Sequence, residues 1–246
     1  MARSSTPRAR KPKQAQAFTR RLLAWWADAA RDLPWRRTRD PYRVLVSEFM
    51  LQQTQVSRVA QYYPRFLARF GSIEELARAR PNAVREAWDG LGYYARASNL
   101  HKLAKHVTRR HDGRLPDRPE ELVKLPGVGP YTAGAVASFA YEKAVPAVDT
   151  NVARVVRRVF FGGAQSREQY SPRHPKGLLP APGAREIWSL TRALVPKSGK
   201  RAWKFNQAIM ELGALICVAR KPKCAECPVR PVCRSPFAQS HGKHRH

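Results

Sequence analysis

The sequence predicts an all-α protein. Apolar residues recur at helical spacing through most of the chain, strand-like alternation is scarce, and glycine and proline punctuate the helical stretches at short intervals. Residues 1–17 come first, with Arg3, Arg8, Arg10, Lys11 and Lys13 beside Pro7 and Pro12 and no acid. That is the composition of a disordered basic arm, and a mitochondrial transit peptide looks similar. Phe18, Leu22, Leu23 and Trp26 then share one helical face. Pro34 and Pro41 bracket a loop, and residues 42–62 are helical in pattern. Helices follow near 73–79, 82–88, 95–111, 119–124, 131–142 and 151–159. Residues 162–183, rich in Gly and Pro, read as an exposed insertion. Helices resume near 184–195 and 201–216, a cysteine-bearing segment follows, and 236–246 is a flexible tail. No internal repeat is evident.

Charge narrows the function. Lysine and arginine number 46 against 18 acidic residues, a net +28 spread over the whole chain. A monomer this basic repels itself unless it meets a polyanion, so nucleic acid is the expected partner and salt should weaken binding. No apolar run approaches the roughly 20 residues of a membrane span. No secretory signal is present, so the expected location is the cytoplasm, in association with the nucleoid.

Leu125-Pro126-Gly127-Val128-Gly129 joins two helical segments. Gly127 and Gly129 let the backbone turn tightly and approach a ligand closely. Pro130 suits a first helical position, and the free amides and dipole of the helix that follows favour an anion such as a DNA phosphate. Pattern and context match a helix–hairpin–helix motif. Asp149 follows 20 residues after Gly129, before an apolar run. It is the residue type expected at a helix N-cap, and it could also stand at the DNA-facing edge and stabilise a sugar cation. The two roles are compatible.

The four cysteines are spaced Cys217-x6-Cys224-x2-Cys227-x5-Cys233. Four thiolates in a compact loop suit either tetrahedral zinc or a cubane iron–sulfur cluster, and spacing alone does not decide.

The hairpin with its downstream Asp resembles the endonuclease III superfamily of DNA glycosylases. Ser47-Glu48-Phe49-Met50-Leu51-Gln52-Gln53-Thr54 resembles the acid helix of the adenine DNA glycosylase (MutY) family. Leu91-Gly92-Tyr93-Tyr94-Ala95-Arg96 with Asn99-Leu100-His101 resembles their DNA wedge, and Phe205-Asn206-Gln207-Ala208 with Glu211-Leu212-Gly213-Ala214 their lead into the cluster. The resemblance covers about residues 22–235 and implies a two-lobed fold. The hairpin lobe, of six helices, is 41–144, and the cluster-bearing lobe is 18–40 with 145–235, so the catalytic domain is 18–235. The same resemblance implies a [4Fe–4S] cluster on the four cysteines. Between the first two lie Arg220 and Lys221, placed to touch DNA phosphates.

The chemistry can be argued from the residues. Breaking the bond from deoxyribose C1′ to a purine needs a better leaving group, which protonation supplies. Glu48 lies among Val44, Leu45, Phe49, Met50 and Leu51, and an apolar setting raises a carboxyl pKa. An ionised Asp149 would steady the sugar cation that remains. The resemblance adds Tyr131 and Asn151 near that cation, with Asn151 orienting Asp149. Lyases of the superfamily carry a lysine where Tyr131 stands, so a monofunctional glycosylase is expected. The target base must leave the duplex. The resemblance makes Gln52 and Tyr93 the residues that fill or wedge the stack, and lines the base pocket with Arg31, Leu51 and Gln207.

The expected substrate is duplex DNA with a mispaired or damaged base, bound by a monomer, and the expected target is adenine opposite guanine or 8-oxoguanine. The family usually continues into a domain that reads 8-oxoguanine, whereas this sequence ends 13 residues after Cys233. Glycosylases acting on T·G or U·G mismatches share the shorter plan and a tyrosine at position 131. A reading of another class is a non-catalytic iron–sulfur DNA-binding protein, which would need neither Glu48 nor Asp149.

Overall fold

The computed structural model describes residues 11–162 and 183–235, and no strand occurs among them. The Gly- and Pro-rich insertion (apart from its end residues 162 and 183), the first ten residues and the tail after 235 lie outside the described residues. The described helices are α1 (Lys11–Ala29), α2 (Pro41–Leu51), α3 (Val56–Arg69), α4 (Ile73–Arg78), α5 (Pro81–Ala87), α6 (Ala95–Arg110), α7 (Pro119–Leu122), α8 (Pro130–Tyr141), α9 (Thr150–Val156), α10 (Ala184–Leu194) and α11 (Gly199–Leu215). One wider, π-type turn, Arg157–Phe161, prolongs α9.

The chain divides into two compact units, one of residues up to Ala30 and from Val148 onward, the other Arg31–Ala147. In the Arg31–Ala147 unit, α2 packs on α8, α3 and α6, and α6 also packs on α4 and α5. Phe66 sits edge-on to both Phe70 and Trp88, at 5.2 and 5.7 Å between ring centroids. Trp88, Phe49, Leu100 and Leu103 are fully buried here. In the other unit, α1 packs on α11 and α10, and α9 on α11 and α10. Phe18, Leu22 and Trp26 of α1 enter its core with Val152, Val155, Phe205 and Leu212, and Phe18 meets Phe160 edge-on at 5.2 Å.

Three expectations need correction. The first helix begins at Lys11, so residues 11–17 belong to a helix and not to a disordered arm; the Gln14 side chain donates to Val232 O at 2.7 Å and Val159 O at 3.2 Å. Residues 42–62 are not one helix. α2 stops at Leu51, Gln53 adopts φ +57°, and α3 restarts at Val56. The run Gln52-Gln53-Thr54-Gln55 supplies no apolar side chain to bury, so packing cannot hold it helical. Finally, residues 31–40 fall with the hairpin unit, as do 145–147. Trp35 is buried there edge-on to Tyr63 at 5.7 Å, and Arg39 pairs with Glu142 at 3.3 Å.

Candidate active site and cysteine loop

The expected site residues fall on both units, and each group is built from its own unit. Asp40 starts α2 by accepting from the Arg43 N–H at 2.8 Å, and Pro41 takes the first helical position. Glu48 then lies two turns on, with only 3% of its surface exposed. The Tyr131 hydroxyl, in the first turn of α8, donates to Glu48 Oε2 at 2.8 Å. A carboxyl removed from water needs such a partner. Gln52 follows the end of α2, half-buried, with Nε2 3.5 Å from Thr132 Oγ1. Leu51 and Arg31 are also half-buried in this unit, and the Arg31 carbonyl accepts from Arg36 Nη1 at 3.0 Å.

The two hairpin glycines differ in kind. Gly127 has φ +75°, and a Cβ there would lie 2.7 Å from Asn99 Cβ and 3.1 Å from Phe49 Cε1. Its own unit demands glycine. Gly129 has φ −95°, which any residue adopts, and a Cβ there would meet nothing within 4 Å. Gly129 also precedes α8 without supplying a side-chain cap.

Tyr93 is 61% exposed and has φ +47°. An exposed large aromatic on strained backbone is not core packing. Arg96, the last residue of the Leu91–Arg96 stretch, takes on contacts that the sequence does not reveal. Arg96 is buried, and Nη1 donates to Phe49 O at 2.9 Å and Met50 O at 2.7 Å. Its Nη2 reaches Thr54 Oγ1 at 3.0 Å and the Leu91 and Gly92 carbonyls at 3.1 Å each. The available signal was an arginine at an apolar helical position with no acid nearby in sequence.

In the other unit Asp149 caps α9. Its Oδ1 accepts from the Val152 N–H at 2.7 Å, and its Oδ2 from Asn151 Nδ2 at 2.9 Å. Part of the residue stays open to solvent, yet burial of the carboxyl pushes its pKa above the ordinary aspartate value. The Val152 and Asn151 bonds and the Arg154 charge oppose that rise without cancelling it. Arg154, also missed in the sequence, donates from Nη2 to Asn151 Oδ1 and to Gly213 O, each at 2.7 Å, and from Nε to Cys217 O at 2.8 Å. A Cβ at Gly213 would lie 2.7 Å from Asn151 Cβ, which explains the glycine in Glu211-Leu212-Gly213. Gln207, on α11, is buried.

Cys217, Cys224, Cys227 and Cys233 are free, half-buried thiols. All four line one cavity, with apolar Val155, Leu212 and Val229 and cationic Arg158, Lys223 and Arg230. Arg158 Nη1 lies 3.5 Å from Cys217 Sγ and 2.7 Å from Val218 O, and Nη2 is 2.9 Å from Ala219 O. Burial raises the thiol pKa values of Cys224, Cys227 and Cys233, that of Cys227 to about 12. Among the described residues no three His, Cys, Asp or Glu side chains gather around one metal-ion position. Arg220 and Lys221 are exposed in the loop after Cys217.

The sequence profile of the HhH-GPD superfamily base excision DNA repair proteins matches residues 46–180. This chain belongs to that superfamily. Among its relatives, human adenine DNA glycosylase is 41% identical over 231 residues, covering 90% of this chain and 40% of the human protein. The chain thus spans about two-fifths of the length of the mammalian adenine DNA glycosylases it matches. Thymine-DNA glycosylase of Aeropyrum pernix is 39% identical over 220 residues, covering 89% of this chain and 93% of the archaeal one. The solved structure of a thermostable thymine-DNA glycosylase superposes with a TM-score of 0.78 at 32% identity, over 93% of this chain and 98% of that one. Superfamily membership agrees with the helix–hairpin–helix reading of residues 125–130. No described helix is long and apolar enough to cross a membrane.

Proposed function

We propose that this chain is a monofunctional DNA glycosylase that excises a mispaired base, adenine opposite guanine or 8-oxoguanine. The observation that carries the reading is the buried Glu48 carboxyl with the Tyr131 hydroxyl 2.8 Å away. In the proposed reaction Glu48 gives its proton to a ring nitrogen of the extruded purine. The C1′–N9 bond breaks, its electron pair leaves with the base, and adenine departs neutral. Ionised Asp149, oriented by Asn151, steadies the cationic sugar. Water adds hydroxide to C1′ and returns a proton to Glu48, leaving an abasic site. Tyr131 has no amine with which to form a Schiff base, so the strand stays intact.

DNA contacts follow the same reading. The open Gly129 turn lets a backbone phosphate approach the first-turn amides of α8, a contact without sequence information. Gln52 and Tyr93 enter the stack, Arg220 and Lys221 meet phosphates, and Arg31, Leu51 and Gln207 line the base pocket. The enzyme works as a monomer on duplex DNA in the cytoplasm. The four cysteines would hold a [4Fe–4S] cluster. Supporting this are a shared cavity with apolar walls and, among the residues lining it, three cations and no carboxylate, a setting for a group whose four thiolates bring net negative charge. The cluster would supply four covalent ties across a short loop.

The 39% identity to the thymine-DNA glycosylase of Aeropyrum pernix, over 89% of this chain, favours a second reading, excision of thymine or uracil opposite guanine. Glu48 favours adenine, because a buried acid serves a purine that must be protonated to leave. The chain is incubated with duplexes holding A·8-oxoG, A·G, T·G or U·G, then treated with alkali. Cleavage at adenine is expected; preference for T·G overturns the adenine reading, and inactivity on all four favours a binding-only protein.

A further inference from the structure

We infer that Arg96 is a positioning residue that braces the two DNA-inserting turns into a single wedge. The inference rests on the proposed reading of Gln52 and Tyr93 as inserting residues. α2 ends at Leu51, and its last four carbonyls have no partner within the helix. Arg96, on α6, donates to two of them, Phe49 O and Met50 O, through Nη1. Through Nη2 it holds Thr54 Oγ1 and the carbonyls of Leu91 and Gly92. One planar group therefore fastens the turn that carries Gln52 and the turn that carries Tyr93.

Both turns need fastening. Gln53 has φ +57° and Tyr93 φ +47°, conformations that side-chain-bearing residues keep only where their surroundings hold them. The guanidinium carbon also lies 5.5 Å from the Tyr93 ring centroid and 5.4 Å from that of Trp88, so the wedge ring rests on the brace itself. Carbonyls and one hydroxyl are its hydrogen-bond partners, with no carboxylate among them. A buried cation without a counter-charge is a costly way to gain stability. It is an effective way to fix geometry, because a rigid fork of donors spans both turns at once. A lysine offers one nitrogen and cannot span them.

The test reads base extrusion by the fluorescence of 2-aminopurine placed at the target position. Arg96→Lys is expected to slow extrusion at least tenfold while binding undamaged duplex within twofold of the parent. Gln52→Ala and Tyr93→Ala are expected to be strongly non-additive in the parent and additive in the Arg96→Lys background, which a purely structural role would not produce. Rates are compared at a temperature where circular dichroism shows each protein folded, and Arg96→Gln replaces the lysine variant if that one does not fold. Parental extrusion and unchanged coupling in the Arg96 variant would overturn the brace. If Gln52→Ala and Tyr93→Ala extrude normally in the parent, the inserting reading fails instead and takes the brace with it.

Discussion

The hydroxyl of Tyr131 donates to Oε2 of Glu48 at 2.8 Å, although 83 residues separate the two in sequence. The contact exists because α8 begins at Pro130, directly after the hairpin, and packs along α2. Glu48→Gln should cut single-turnover excision by about 10²–10⁴, the usual value of a positioned acid, while DNA affinity holds. Tyr131→Phe removes one hydrogen bond to the carboxyl and should cost about tenfold. Tyr131→Lys should gain a borohydride-trappable adduct with DNA. Normal turnover in the Gln variant refutes the acid role.

Gly127 and Gly129 make a matched pair for separating fold from contact. Gly127→Ala places a Cβ 2.7 Å from Asn99 Cβ on backbone at φ +75°, and should cost about 1–3 kcal/mol of stability. Gly129→Ala meets nothing and should change stability by less than about 1 kcal/mol. Its DNA affinity should nonetheless fall, because the added methyl stands where a phosphate would approach. Thermal melts and binding isotherms on the two variants check this. Unchanged affinity in Gly129→Ala would remove the hairpin from the interface.

Asp149 sets function against stability. Burial raises its folded-state pKa above the unfolded value, so folding favours the neutral acid. That contribution is complete below the unfolded value and is lost as pH rises through the folded one. Once pH exceeds the folded value the carboxylate is charged in both states, and the folded protein carries the burial penalty. Asp149→Asn can still accept from the Val152 N–H, so it should melt higher than the parent at neutral pH. The gain should vanish near pH 3, where both states of the parent are protonated. Excision by the parent should fall on acidification at a pH above the ordinary aspartate range, and the Asn variant should be inactive. A lower melting temperature for Asp149→Asn at neutral pH would contradict the argument.

The cysteine loop should hold about four irons per chain and absorb near 400 nm after anaerobic purification. Cys227→Ser should lose the absorbance and melt lower, since four ligand ties would join short turns that otherwise rest on the Arg154, Arg158 and Gln14 hydrogen bonds and on buried Val229. Zinc in place of iron by elemental analysis would refute the cluster.

Much of this protein was legible in the chain. Helical spacing around Phe18, Leu22 and Trp26 marked a buried face, and Asp149 read as a cap because its carboxylate, placed before an apolar helical run, can accept from first-turn amides. The end of α2 was not legible, since glutamine is a good helix former and the apolar spacing resumes at Val56. Residues 31–40 carried no signal of which unit would claim them, because that depends on where Trp35 finds Tyr63.

The sequence by itself determined the helical class, the glycine-bearing turn at 125–130, the cysteine spacing and the Asp149 cap. These are local properties, set by periodicity, by backbone permission at glycine and by side-chain chemistry. Only the tertiary structure decided that Tyr131 meets Glu48, that Gly129 faces open space while Gly127 does not, and that one buried arginine holds two turns 37 residues and more apart. Contacts of that kind depend on how helices distant in sequence pack, and no local pattern encodes the direction in which a guanidinium will point.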